Sequence, residues 1–264
     1  MTTLTKHATG TFSWPELGTT DQDGAKKFYS GLFGWTIKDT PMGPGEVYTI
    51  FQKNGNDVGA LYTLRAEQQG VPPHWGAYVT VDDADASAAK AKQLGGTVVL
   101  EPFDVMEHGR MAVIKDPTGA VFCVWQAKQH IGASVINEPN SLVWTELVTP
   151  DPPKAKEFYT QLIGWTTSEM PMQDGGVYTI FNRADGQGAG GLMKTPEMMK
   201  GAPAVWMTYF AVEDIQGAVA KIQQLGGKIA VPPQMIPDVG TFTVAQDPQN
   251  AVFCLLQPLP QMKK

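Results

Sequence analysis

The two halves of this chain carry nearly the same sequence, and this duplication limits its fold more than any other feature. Short motifs recur 130 residues apart along the first part of each half, and 131 apart after about residue 55. The matching segments are 12–17 with 142–147, 28–29 with 158–159, 34–35 with 164–165, 47–51 with 177–181, 94–96 with 225–227, 116–117 with 247–248 and 120–123 with 251–254. A period of this length exceeds the roughly 20 to 50 residues of solenoid repeats. The sequence therefore predicts two copies of one domain.

The composition is that of a globular protein with room for two such domains. The 264 residues are 42% hydrophobic and 17% charged, and a chain of this length can bury two separate cores. The segment 128–139 has no strong periodicity and ends in Asn137-Glu-Pro139. We therefore expect domain 1 to span residues 1–130 and domain 2 to span residues 138–264.

Charge and hydropathy argue against two classes of partner. The net charge of −6 is spread without blocks of like sign, whereas nucleic-acid phosphates demand clustered Lys and Arg. No stretch approaches the roughly 20 apolar residues of a membrane span, and the first residues contain no apolar run of signal-peptide length. We expect no nucleic-acid or membrane partner and a cytoplasmic location, in which Cys123 and Cys254 remain free thiols.

The same order of elements is predicted four times along the chain. An apolar and aromatic strand at 11–17 is followed by Asp21, which can cap a helix, and by Gly34, which can end it. Three strand-like segments follow, separated by residues 41–45 and by the pair Asn54-Gly55, a strong hairpin signal. The pattern restarts in the middle of each half. The sequence thus predicts an α+β fold in which each domain contains two βαβββ units.

These motifs and their order resemble the vicinal-oxygen-chelate superfamily, which includes glyoxalase I, extradiol dioxygenases, and bleomycin and fosfomycin resistance proteins. The resemblance covers nearly the whole chain. It is carried by Phe28-Tyr29, Leu32-Phe-Gly-Trp35, Val81-Asp-Asp83, Leu94-Gly-Gly96 and Asp116-Pro-Thr-Gly119, with counterparts at 158–159, 162–165, 212–214, 225–227 and 247–250. It implies a curved eight-stranded sheet in each domain, with a concave cup for a small molecule and the helices on the convex side. We further expect the two domains to pair within one chain, as a monomer or a homodimer.

The resemblance also implies where metal ligands would lie. Metal-dependent members use His, Gln or Glu side chains that point into the cup from the first and last strand of each unit. Here the corresponding positions in domain 1 carry Trp14, Trp75 or Gly76, and Cys123, and those in domain 2 carry Trp144, Trp206 or Met207, and Cys254. An indole N–H offers a metal no lone pair. We therefore expect no cofactor.

A divalent metal in domain 1 is the alternative. Glu16, His74 and Cys123 could all face the cup if the strands alternate, although no HxxxH or CxxC spacing supports the trio. Domain 2 contains no histidine at all. It is therefore expected to be metal-free, because catalytic sites for such metals normally include imidazole.

Alternation along the strands also predicts which side chains line the cups. In domain 1 they are Trp14, Glu16, His74, Tyr78, Cys123 and Trp125, and in domain 2 they are Trp144, Glu146, Met207, Tyr209, Cys254 and Leu256. Such a lining is aromatic with few polar groups. It is typical of a pocket for a flat organic ligand.

The carboxylates Glu16 and Glu146 have two alternative roles. Each could serve as a general base or as a hydrogen-bond acceptor for a ligand, or it could pair with a backbone N–H or a tyrosine hydroxyl inside the fold. His74 is a candidate proton carrier in cup 1, and the equivalent position of domain 2 is Val205. Because His74 lies beside two prolines, the alternative is a surface residue. The cysteines could act as nucleophiles only with an adjacent base or a lowered pKa.

Three functions are consistent with these features. The first is a metal-independent protein that binds a hydrophobic or aromatic small molecule in its cups. The second is a glyoxalase-like lyase or isomerase for small aldehydes or ketones, with Glu16 as base and with an atypical metal or none. The third is an interaction module whose ligand sites have decayed.

Overall fold

The computed structural model describes residues 3–68, 70–172 and 175–260. The ends of the predicted domains at residues 1–2 and 261–264 lie outside this part of the chain. Within the described residues the backbone forms sixteen strands and four α-helices, in the order strand, helix, three strands, repeated four times. No helix among them has the length and apolarity needed to cross a membrane.

The elements of the first half are β1 Phe12–Thr19, α1 Gln22–Phe33, β2 Thr36–Gly43, β3 Glu46–Lys53, β4 Asn56–Thr63, β5 His74–Thr80, α2 Ala84–Gln93, β6 Thr97–Val105, β7 Gly109–Lys115 and β8 Val121–Ala127. Those of the second half are β9 Leu142–Thr149, α3 Pro152–Ile163, β10 Thr166–Pro171, β11 Val177–Asn182, β12 Gly188–Lys194, β13 Val205–Ala211, α4 Ile215–Gln224, β14 Lys228–Ile236, β15 Gly240–Gln246 and β16 Val252–Pro258.

Each half folds into its own eight-stranded sheet. The strand order is β2-β3-β4-β1-β5-β8-β7-β6 in the first and β10-β11-β12-β9-β13-β16-β15-β14 in the second. At the centre of the first sheet, β1 runs parallel to β4 and antiparallel to β5, and β5 runs parallel to β8. The predicted α+β class, with two βαβββ units in each of two tandem domains, is confirmed.

Local sequence explains where the helices begin and end. The Asp21 carboxylate accepts a hydrogen bond from the backbone N–H of Gly24 at 3.0 Å and so caps α1, and Asp151 caps α3 in the same way. Gly34 and Gly164 end these helices with φ angles of 72° and 83°, a left-handed conformation that costs glycine little. Both pairs of signals were predicted from the sequence.

One predicted loop is part of a strand. Residues 41–45 were expected to separate two strands, but β2 continues through Pro41 to Gly43. Proline is tolerated here because β2 lies at the edge of the sheet, where one side of the strand needs no donor for a neighbour. The turn is confined to the last residues of that segment.

The domains pair through their convex faces. Buried side chains of both domains pack into two shared hydrophobic clusters, one joining Phe122 and Ala88 of domain 1 to Phe158 and Leu162 of domain 2. The second cluster joins Phe28 of α1 to Ile222 of α4. Since each buried apolar side chain contributes roughly 1.5–3 kcal/mol, these clusters hold the domains together. The expected pairing within one chain is observed.

The repeated motifs supply polar bonds across the same interface. The Tyr29 hydroxyl donates to Asp247 Oδ2 at 3.0 Å, and the Tyr159 hydroxyl donates to Asp116 Oδ2 at 2.9 Å. The Trp165 indole N–H likewise donates across the interface, to the carbonyl of Gly10 at 3.0 Å. The tyrosine of each first helix therefore binds the aspartate of the other domain, which leaves the concave faces directed away from the partner domain.

Candidate functional site

The central strands place the candidate residues on the concave face of each sheet. On β1, Trp14 and Glu16 alternate with side chains that enter the convex core, and their direct partners on β5 are Tyr78 and Gly76. Trp14, Tyr78, Cys123 and Trp125 form a separate buried cluster within domain 1, as predicted. We call the concave face of domain 1 cup 1, and that of domain 2 cup 2.

Glu16 is held by two tyrosines. The Tyr48 hydroxyl donates to Glu16 Oε1 at 2.6 Å, and the Tyr78 hydroxyl donates to Oε2 at 2.5 Å. Tyr48 in turn accepts the indole N–H of Trp14 at 3.2 Å. Of the alternatives given for this carboxylate, pairing with tyrosine hydroxyls inside the fold is the one observed. Trp14, Tyr48, Glu16 and Tyr78 form one connected polar group.

Burial controls the ionisation of this group. It raises the pKa of the Glu16 carboxyl above its ordinary value, and the two tyrosine hydrogen bonds partly oppose that rise. Burial, with the Glu16 charge next, raises the pKa of Tyr48, so its hydroxyl stays protonated and remains a donor. A carboxyl that gains a proton more readily than usual, beside fixed donors, can accept a hydrogen bond or a proton from a ligand.

Cys123 is buried in the wall of cup 1 and is not an activated thiol. Burial raises its pKa, and the nearby Glu16 carboxylate raises it further. The thiolate is the nucleophilic form of cysteine. The same holds for Cys254 in cup 2, where burial also raises the pKa. Both are free thiols that contribute to packing.

The interdomain segment closes one end of cup 1. The Trp125 indole N–H donates to the carbonyl of His130 at 2.9 Å, and the His130 ring packs edge-on against Trp14 with centroids 4.6 Å apart. His130 Nε2 lies 3.7 Å from Asp57 Oδ2. Trp125 also lies flat against Gly109, where a Cβ would come within 2.3 Å of the indole. This end of the cup is therefore a fixed aromatic wall.

His74 lies on the cup face of β5, at the opposite end. It pairs with Gly18 of β1, and its Nδ1 lies 2.9 Å from the carbonyl oxygen of Pro72. A carbonyl can only accept, so Nδ1 is the donor in this hydrogen bond. The half-buried His74 is thus brought to the cup rim, and it does not bond to Glu16.

Cup 2 repeats the polar group. The Trp144 indole N–H donates to Tyr178 at 2.9 Å, and the Tyr209 hydroxyl donates to Glu146 Oε1 at 2.9 Å. Tyr178 also bonds to Glu146. Burial raises the pKa of Glu146, as it does for Glu16. Its remaining neighbours are apolar and include Met207, Cys254 and Leu256.

The side chains at the positions where the resemblance implies metal ligands do not fit a metal. The structure decides between the alternatives on β5 and β13: Trp75 and Trp206 enter the convex core, where each indole N–H donates to a tyrosine, and Gly76 and Met207 face the cups. The metal-ligand positions named for domain 1 are then occupied by Trp14, Gly76 and Cys123. Across the described residues no three His, Cys, Asp or Glu side chains converge as a metal site would require. Glu16, His74 and Cys123 therefore do not form such a group.

Sequence reasoning missed the second tyrosine of each group. Tyr48 and Tyr178 come from β3 and β11, two strands away from the carboxylates in the sheet order. A signal was present: the tyrosine recurs in both halves and lies three residues from Phe51, a core residue, so that alternation puts it on the other face. His130 was missed because it falls in the segment between the domains.

The sequence model of the Glyoxalase/Bleomycin resistance protein/Dioxygenase superfamily matches residues 11–124 and again residues 141–255. The chain belongs to this superfamily. Among its relatives is a protein of Mycobacterium tuberculosis named "Putative glyoxylase CFP32", 43% identical over 254 residues, which are 96% of each chain. Another is the anthracycline biosynthesis protein DnrV of Streptomyces peucetius, 33% identical over 270 residues, which cover 96% of this chain and 95% of that one.

Solved structures of the superfamily share the architecture. The Mn(II)-bound glyoxalase from Novosphingobium aromaticivorans superposes with a TM-score of 0.66 at 16% identity, over 94% of this chain and 82% of that one. The 2,3-dioxygenase LapB from Pseudomonas sp. KL28 superposes with a TM-score of 0.64 at 13% identity, over 99% and 96% of the two chains. At such identities these likenesses concern the fold alone.

Proposed function

We propose that this chain is a metal-independent binding protein for a hydrophobic or aromatic small molecule, which it takes up in the cups. The observation that carries the proposal is the carboxylate held by two tyrosine hydroxyls on an otherwise aromatic concave face. Such a face offers broad apolar contact and one polar anchor, the combination that small-molecule sites use. The anchor is complete without a metal, because the protein's own donors satisfy one lone pair on each Glu16 oxygen.

The donor chemistry supports the metal-independent part of the proposal. The groups next to Glu16 are two hydroxyls and an indole, and all three present hydrogens rather than lone pairs toward their partners. Cys123 stays protonated because burial raises its pKa. Among these groups a divalent metal would gain only Glu16 as an anionic ligand.

The names of the relatives point to two ligand classes. Anthracyclines are polycyclic aromatic compounds, and DnrV is named for their biosynthesis, which agrees with an aromatic cup. A glyoxylase, the name given to the mycobacterial relative, acts on small carbonyl compounds. The aromatic lining favours the first class for this chain.

Metal content and ligand binding test the proposal together. We expect purified protein to contain less than about 0.1 equivalent of any divalent metal and to bind aromatic ligands equally well before and after dialysis against a chelator. Binding is measured by quenching of Trp fluorescence, because Trp14 and Trp144 belong to the polar groups of the cups. A stoichiometric metal whose removal abolishes binding would contradict the proposal.

A second function is favoured by the raised pKa of Glu16. As a general base, its carboxylate could take the C–H proton from the hydrated aldehyde carbon of an α-ketoaldehyde and return it to the neighbouring carbon, which yields an α-hydroxy acid without an oxidant. The test is conversion of phenylglyoxal to mandelate. If this is the function, Glu16→Gln lowers the rate by about 10²–10⁴-fold and Glu146→Gln is the matched control; no mandelate from wild-type protein rules it out.

A further inference from the structure

The two cups share their polar groups but differ around them. Five cup positions change character between the domains: Gly18 to Val148, Tyr62 to Met193, His74 to Val205, Gly76 to Met207 and Trp125 to Leu256. Each change replaces a small, polar or aromatic residue of cup 1 with an aliphatic or thioether side chain in cup 2. The two domains therefore differ in the side chains that surround Glu16 and Glu146 on the cup faces.

Gly76 leaves cup 1 open directly beside Glu16. The two residues are partners across β1 and β5, and a Cβ at Gly76 would touch its nearest neighbours only at 3.5 and 3.7 Å, which is ordinary contact. Met207 holds the same place beside Glu146, buried against Val148, Tyr209 and Cys254. Glu16 is half-buried and Glu146 is buried.

The far end of cup 1 is polar. Gly18 makes room for Tyr62 and His74: a Cβ there would lie 3.0 Å from the Tyr62 hydroxyl oxygen and 3.2 Å from His74 Cε1. The Tyr62 hydroxyl accepts a hydrogen bond from Gln68 at 3.2 Å, which leaves its own hydrogen to donate. In cup 2 the corresponding residues Val148, Met193 and Val205 offer no hydrogen-bond donor.

We propose that cup 1 alone is the binding cup, that Met207 closes cup 2, and that the ligand is a planar aromatic molecule with a phenolic hydroxyl for Glu16 and a carbonyl for Tyr62. Each Glu16 oxygen accepts one tyrosine hydroxyl and retains a further lone pair, which the ligand's hydroxyl reaches over Gly76. Trp14 and Trp125 belong to the aromatic wall of this cup, which favours an aromatic ligand. This inference rests on the proposed function and assigns it to one site.

The test uses 1,4-dihydroxyanthraquinone as probe, with unsubstituted anthraquinone as the comparison compound. Titration of the full chain is expected to give a stoichiometry of one bound probe molecule per chain. The dissociation constant of anthraquinone is expected to be at least tenfold higher than that of the probe. Gly76→Met, which reproduces the closed cup, is expected to weaken probe binding at least tenfold, and Gly76→Ala is expected to weaken it by less. Gly43→Met is the matched control, because it adds the same side chain to the exposed edge strand β2, where no atom lies within 4 Å of the new Cβ, and it is expected to keep the wild-type dissociation constant. Circular dichroism establishes that each variant is folded.

Thiol labelling provides a readout that needs no ligand. Cys123 is 8% exposed and Cys254 is not exposed, so a maleimide, followed by peptide mass spectrometry, is expected to label Cys123 several-fold faster, and Gly76→Met is expected to slow that labelling. Equal labelling, a stoichiometry of two, or unchanged probe binding by folded Gly76→Met overturns the assignment to cup 1. If labelling is unequal but neither the probe nor a panel of other aromatic compounds binds, the proposed function fails, and the assigned ligand class with it, while the structural difference between the cups stands.

Discussion

Glu16 is a carboxylate that the fold protects from water and then supplies with two donors. Its hydroxyl partners come from β3 and β5, on either side of β1 in the sheet, so the group forms only when three separate chain segments come together. Burial acts against the charged form, and the hydroxyls act in its favour. Since burial is the larger effect, the pKa of the Glu16 carboxyl is higher in the folded protein than in the unfolded chain.

The stability of the protein should therefore depend on pH through Glu16. The stabilising contribution of the protonated form is complete below the unfolded pKa of about 4.3 and is lost as the pH rises through the raised folded pKa. Glu16→Gln removes this titration, because an amide can accept from one tyrosine and donate to the other without carrying charge. We expect the melting temperature of Glu16→Gln, relative to wild type, to increase from pH 4 to pH 8.

Thermal melts across that range measure the effect, at roughly 2–4 °C for each kcal/mol. Glu146→Gln is the internal comparison, because burial also raises the pKa of Glu146, and its offset from wild type should increase with pH in the same direction. If the Glu16→Gln offset is constant with pH, the carboxyl does not titrate with a raised pKa.

The elements themselves are set by short signals in the sequence, and the end of α1 shows how. Gly34 adopts a left-handed φ of 72°, yet no atom lies within 4 Å of the place where its Cβ would stand. An alanine there would meet no steric clash, so any loss of stability would come from holding a residue with a side chain in the left-handed backbone conformation. We expect Gly34→Ala to lower the free energy of unfolding by about 1 kcal/mol, measured by urea denaturation.

Gly43 provides the control for that measurement. It has equally open space around it and lies in an extended strand, so Gly43→Ala should change the stability little. Gly164→Ala, the counterpart of Gly34 in α3, should match Gly34→Ala. Equal effects of Gly34→Ala and Gly43→Ala would mean that the left-handed conformation is not what the alanine disturbs.

The sequence predicts elements better than it predicts what meets across them. Caps, hairpin glycines and alternation act within a few residues, so the strands, the helices and the cup faces of β1, β5 and β8 follow from local rules. The boundary error at Pro41 arose because a proline is compatible with a strand only at a sheet edge, and edge position is a property of the whole sheet. Tyr48 and His130 were missed for a related reason: their contacts with Glu16 and Trp14 join segments that are distant along the chain.

At the scale of the whole molecule, each of the two shared hydrophobic clusters is built partly from domain 1 and partly from its duplicate, domain 2. The shared clusters contain side chains from both domains. If one domain unfolded, the convex face of the other would therefore be exposed to water. We expect a single cooperative transition in calorimetry and in urea, with the two domains unfolding together. Two separated transitions would show that each domain is stable without the other.

If the two domains unfold together, the contribution of the hydrogen bonds between them can be measured as a change in the free energy of unfolding of the whole chain. Tyr29→Phe removes the donor to Asp247 and also the acceptor of the Trp75 indole N–H, which bonds to the same hydroxyl at 2.9 Å. The Trp75 N–H and Asp247 Oδ2 then lose these bonds, although Asp247 Oδ1 still accepts from the backbone N–H groups of Gln249 and Ala251. A buried group left without its partner costs about 1–3 kcal/mol. Urea denaturation should therefore give a loss of at least that size for Tyr29→Phe, with the transition still single.

Pseudo-symmetry supplies the internal comparison. Tyr159 makes the equivalent pair of bonds to Asp116 and Trp206, so Tyr159→Phe should cost as much as Tyr29→Phe. Tyr62→Phe is the control, because its half-buried hydroxyl bonds only within domain 1 among the described residues and its loss should cost less than about 1 kcal/mol. A loss for Tyr29→Phe no larger than that for Tyr62→Phe would show that the bonds between these tyrosines and the aspartates of the other domain add no measurable stability to the interface.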